Sequence, residues 1–164
     1  MPTKRILRPV PLTRTAFLPF GQVLETDGLN PELINFGNTQ KYGDLAELSL
    51  GGGRAQFSIY RSNAIELPFR VKLLERHPLG SQAFYPLHGR PFPVIVAATA
   101  VTPGYADIRV FLTNGRQGIN INPGVWHHYQ LTLGQESDYI VIDRRGGVKN
   151  YEEVCLEEEV LLEK

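Results

Sequence analysis

The strongest constraint on the fold is a period-two alternation, carried by short runs that Gly, Pro and Asn interrupt along the whole chain. Successive side chains of a strand point to opposite faces, whereas a helix repeats its apolar positions every three or four residues. From Phe69 to His77 the alternation sets Phe69, Val71, Leu73, Glu75 and His77 on one face and Arg76 on the other. From Arg54 to Arg61 it aligns Ala55, Phe57, Ile59 and Arg61, a row that would end in a guanidinium at the mouth of the interior if it faced the core. Further strands are expected at 22–25, 81–85, 93–98, 106–113, 118–122, 125–133 and 139–143, each bounded by turn residues. The chain therefore reads as all-β.

Helix signals are confined to the two ends. Thr13 is a side-chain cap for a short helix that Pro19 and Gly21 stop, and 150–164 fits an amphipathic helix with Val154, Leu156, Val160 and Leu161 as its stripe. Gly51-Gly52-Gly53 lacks the Lys-Ser/Thr of a phosphate loop and reads as a hairpin turn. The 164 residues, 42% of them hydrophobic, suit a single domain spanning 1–164.

Seventeen basic and seventeen acidic residues cancel, so no overall field favours nucleic acid or an anionic membrane, and a small molecule is the expected partner. Basic residues crowd the start and glutamates the end, as solvated surface or subunit contacts. The single Cys155 has no internal partner for a disulfide and reads as an inert packing residue in a reducing cytoplasm. Early prolines and Arg14 break up any signal-like apolar stretch, and no run is long enough to span a membrane.

A carboxylate and an imidazole at the end of an inward row are costly to desolvate unless they are paired, hydrogen-bonded or bound to a metal. Glu75 and His77 with Gln82, and His127 from a distant strand, offer two imidazole nitrogens and two oxygens without a thiolate. Such a set suits Mn, Fe, Ni or Zn, and ligand type alone does not choose among them.

The spacing Glu75-x-His77, Gln82, Gly89, then Gly124-Val125-Trp126-His127, resembles the two motifs of the cupin superfamily. Glu75 stands where a His is usual and Gln82 where a Glu is usual. Over nearly the whole chain the closer resemblance is to the ureidoglycolate lyases. It is carried by 73–84 (LERHPLGSQAF after Leu73), by Phe111 to Asn120, by Val125-Trp126-His127-His128 and by Ile142-Asp143-Arg144. The resemblance implies a double-stranded β-helix barrel, a cytoplasmic homodimer, and a divalent metal, generally nickel, on Glu75, His77, Gln82 and His127.

It also implies elimination of urea from ureidoglycolate, a step of allantoin breakdown, which needs a base for the hydroxyl and an acid for the departing nitrogen. Catalytic candidates are Glu75, His77, His127, Tyr85 and His128, although alternation turns His128 away from His127. Substrate candidates are Arg61 and Arg76 for the carboxylate and Asn114 and Asn120 for the urea group. Hydrolysis to ammonia, another hydroxy-acid chemistry on a cupin barrel, and a non-catalytic binding barrel are the alternatives.

Overall fold

The structure, a computed structural model, describes residues 4–164. With strands numbered in chain order, a seven-stranded sheet runs β1 (Arg5–Leu7), β16 (Glu152–Leu162), β8 (Phe69–Arg76), β13 (Trp126–His127), β10 (Pro93–Ala97), β11 (Ile108–Leu112) and β2 (Val10–Pro11). A five-stranded sheet runs β3 (Gly21–Leu24), β12 (Gly118–Ile121), β9 (Gln82–Pro86), β15 (Ser137–Arg145) and β6 (Arg54–Ser62). Two small pairs, β7 (Ala64–Ile65) with β14 (Thr132–Leu133) and β4 (Glu32–Ile34) with β5 (Thr39–Lys41), complete an all-β, cupin-like barrel. No helix among the described residues is long and apolar enough to cross a membrane.

The strand β10 is buried along its whole length and serves two cores. Val94 and Val96 meet Phe84, Ile119, Ile121, Tyr139 and Val141 of the second sheet, while Ile95 and Ala97 pack on the opposite face with Val71, Leu74, Val110 and Trp126. This is the sandwich logic of alternate residues feeding different layers. One end of the first core is closed by α1 (Arg14–Phe17), whose Thr13 hydroxyl accepts a bond from the Ala16 N–H, as its sequence predicts. Phe17 inserts there between Phe20 and Phe111.

The expected C-terminal helix is a strand. Residues 152–162 form β16, antiparallel to β8 and parallel to β1, with a register shift between Cys155 and Val160. The helical spacing of four apolar residues is coincidental: β8 and β1 offer hydrogen-bonding edges that the segment satisfies, and Val160, Leu161 and Leu162 are buried there. Cys155 is exposed in this strand rather than packed. The charged ends meet each other, with Arg5 on Glu158 at 3.0 Å and Arg8 on Glu163 at 3.1 Å.

Two smaller expectations also change. Gly51 to Gly53 make a turn closed by Gly53 N–H to Leu50 C=O, but it enters β6 from a loop and forms no hairpin. In β6 the row Ala55, Phe57, Ile59 and Arg61 faces outward, and the inward row is Gln56, Ser58, Tyr60 and Ser62.

Candidate active site

Four elements bring the site together. The strand β8 carries Glu75 inward and delivers His77 just past its end; His127 pairs directly with Glu75 from the neighbouring β13. From the facing sheet, β9 contributes Gln82 and β15 contributes Asp143. They open into a cavity of about 600 Å³ lined also by Tyr60, Phe84, Tyr129 and Tyr151, with Arg61 at its rim.

The hydrogen bonds behind these groups decide where their lone pairs point. His77 Nδ1 donates to the Asn150 carbonyl 2.8 Å away, which turns Nε2 away from Asn150, where it is buried without a partner among the described residues. The Asn150 side chain is itself fixed by the Leu79 N–H at 2.6 Å. His127 Nδ1 likewise donates to the Val125 carbonyl at 2.9 Å, leaving Nε2 3.2 Å from Gln82 Oε1 and 3.6 Å from Glu75 Oε1. Gln82 points its amide nitrogen at Asp143 Oδ2, 3.2 Å away, and so presents its oxygen to His127.

Two imidazoles, a carboxylate and an amide oxygen thus converge. His127, kept neutral by burial, turns its Nε2 lone pair towards the Gln82 oxygen and the Glu75 carboxylate, a set that a shared cation would satisfy. Ligand atoms of Glu75, His77 and His127 lie within 4.8 Å of one another, the compass of a metal-binding triad. Mixed nitrogen and oxygen donors, with both imidazoles and the amide backed by an outer hydrogen bond, fit a divalent transition metal.

Burial sets the protonation. It pushes His127 down to about 3 and His128 down to about 4, and raises the carboxyl of Glu75 above its usual range against the opposing pull of His77. The Tyr60 phenol is raised by burial and then by Asp143; that of Tyr151 is raised first by its hydrogen bond to Glu153.

A pH dependence follows for the metal-free protein. Unfolded, both imidazoles titrate near their ordinary 6.5, so below that pH the unfolded chain binds more protons than the folded one. Their contribution to stability is complete above 6.5 and is lost as pH falls towards about 4 and 3. Glu75 acts oppositely just above 4.5, where the folded chain holds the extra proton. Two imidazoles outweigh one carboxyl, so the melting temperature in chelator is expected to fall between pH 7 and pH 5; a flat profile would contradict the neutral assignment.

The other sequence candidates are dispersed. Tyr85 points out of the barrel, its ring against Gly118. His128 is buried on the face opposite His127, edge-on to Phe69. Arg76 also lies on the outer face, as its phase predicts, stacked 4.4 Å over Trp126 and paired with Glu152. Asn114 holds an exposed turn by accepting from the Arg116 N–H. Asn120 is fully buried away from the cavity, donating to Gln22 and to the Glu47 carbonyl. Arg61 gives Nε and Nη2 to Asp138 at 2.8 and 2.9 Å. Sequence reasoning misses Tyr60, Asp143, Asn150 and Tyr151. The phase of β15 is a usable signal for Asp143, since it shares a face with Tyr139 and Val141.

A cupin-like barrel with a buried imidazole, carboxylate and amide cluster at its mouth defines a small-molecule enzyme with a metal-binding geometry. The chain belongs to the ureidoglycolate lyase family, whose sequence model, described as ureidoglycolate lyase, matches residues 4–163. It is 46% identical over 160 residues to the ureidoglycolate lyase of Pseudomonas entomophila (strain L48), covering 96% of each chain. It is 48% identical over 151 residues to that of Pseudomonas paraeruginosa (strain DSM 24068 / PA7), covering 91% of this chain and 89% of the relative. To that of Azotobacter vinelandii (strain DJ / ATCC BAA-1303) it is 47% identical over 151 residues, 91% of each chain.

Proposed function

We propose that this enzyme cleaves ureidoglycolate to glyoxylate and urea, with a divalent metal, nickel first among the choices, held by Glu75, His77, Gln82 and His127. The observation that carries the reading is the convergence of two imidazoles, a carboxylate and an amide oxygen on a cavity of small-molecule size. A bound divalent ion would act as a Lewis acid on oxygens of the substrate, making its hydroxyl easier to deprotonate.

The chain's own groups provide the rest. The Tyr60 phenol offers an O–H donor inside, while Arg61 at the rim would have to exchange Asp138 for the carboxylate of the substrate. Glu75, which lines the cavity, would take the hydroxyl proton as the carbonyl of glyoxylate forms. The carbon–nitrogen bond breaks and the departing nitrogen receives a proton from the same carboxyl. Phe84 and Tyr129 supply the apolar part of the cavity lining.

Residues 4–163 work as one domain in this reading, in the cytoplasm and as a homodimer in purine breakdown. The outward face of β6, where Phe57 is 74% and Ile59 is 58% exposed, is the apolar surface that a second copy would cover.

Incubating the purified protein with ureidoglycolate and measuring both urea and ammonia tests the reaction. Urea and glyoxylate should appear together, stop after chelation and resume when Ni2+ is restored. Glyoxylate release no faster than the spontaneous rate, with metal present, sinks the proposal; ammonia in place of urea turns it into a hydrolase.

A further inference from the structure

Gln82 is an unusual choice for a metal site because a carboxamide is neutral and has two ends of similar shape. Turned one way it presents an oxygen to the cluster; turned the other way it presents N–H donors, which would bond the bare Nε2 of His127 and occupy the lone pair a cation needs. Asp143 decides between them. Its Oδ2 accepts from Gln82 Nε2 at 3.2 Å, and a carboxylate cannot accept from the oxygen end. The pairing of Ile142 with Ala83 makes Gln82 and Asp143 neighbours across adjacent inward-facing strands, so the contact is built into the register of the barrel. Gln82 is buried, and Asp143 Oδ1 is buried without a partner among the described residues.

Charge leads to the same residue. Among the four proposed ligands only Glu75 carries a negative charge, one short of a divalent ion. Asp143 supplies the second charge one hydrogen bond away.

We infer that Asp143 is a positioning residue for the metal: it locks the Gln82 carboxamide with Oε1 towards the ion and completes the neutralisation of its charge through that amide. The inference rests on the metal reading of the site given above and extends it to a residue outside the ligand set.

Affinity for Ni2+ and Mn2+, measured by competition with a chromogenic chelator on the full chain, tests this without reference to turnover. D143A is expected to weaken binding about 10–100-fold, the range for loss of an outer-shell partner. D143N, which keeps the shape and an acceptor oxygen but not the charge, should lose less, and it stands in if D143A fails to fold. Q82E sets two carboxylates side by side and should also weaken binding. The decisive variant is Q82E/D143N, which exchanges the pair: the amide now at position 143 donates to the carboxylate now at position 82. Its affinity should recover above both single variants.

A merely structural role would make the two losses add. Additive losses, or an unchanged affinity in D143A, overturn the inference while leaving the metal site standing. If the parent protein binds neither ion, this inference and the metal reading fall together, whereas urea release can still be scored separately.

Discussion

Replacing His127 with alanine is expected to abolish metal retention and to reduce kcat/KM for ureidoglycolate by more than about 100-fold, since even outer-shell partners of metal ligands are worth 10–100-fold. His127 is 1% exposed, its ring is fixed by the Val125 carbonyl, and its Nε2 faces both Gln82 and Glu75. The two-residue strand β13 is hydrogen-bonded on both sides, to β8 and β10, so the backbone is held when the ring is removed. Metal content after desalting and steady-state kinetics, with a melting curve to confirm folding, provide the check. Activity close to that of the parent would remove His127 from the site.

The largest expected loss of stability is at Phe17. Its side chain is 0% exposed, 5.5 Å edge-on to Phe111 and 5.7 Å from Phe20 between ring centres. Phe17→Ala should cost about 3–5 kcal/mol from lost burial and the cavity left behind. For a chain of this size that lowers the melting temperature by about 2–4 °C per kcal/mol. Leu18, next in sequence but 71% exposed, should change stability by less than about 0.5 kcal/mol when replaced by alanine. Phe17 does not line the cavity, so the folded variant should retain its kcat/KM at low temperature. Denaturant titration of the two variants measures the contrast, and equal stabilities would refute the plug role of α1.

These outcomes depend on features of unequal visibility in the sequence. Alternation in β8 correctly separates Glu75, at the cavity, from Arg76, over Trp126, but the expected row breaks further back: Phe69 and Val71 pack in the same core as Leu74, where the register with β16 shifts between Leu73 and Val71. The same rule misassigns β6. Alternation states which residues share a face but not which face is inside, and where a strand lines a polar cavity its inward row is polar too. Tyr60 and Ser62 are hard to read for that reason, while Phe57 and Ile59 draw attention to the wrong side. The last strand imitates a helix because local periodicity carries no information about a partner far away in sequence, as Arg76 is from Glu152. The lock on Gln82 is equally hidden, since it requires β9 and β15 to lie side by side.

The position of β16 bears on how the protein is made. On the ribosome the chain emerges with Glu75, His77 and Gln82 well ahead of Asn150, whose carbonyl orients His77 and whose side chain holds the Leu79 amide. The strand that follows Asn150, β16, pairs with β1, the first described strand, a contact of long sequence separation that is slow to form. A nascent or prematurely ended chain would carry loosely held ligands and an uncovered β8 edge.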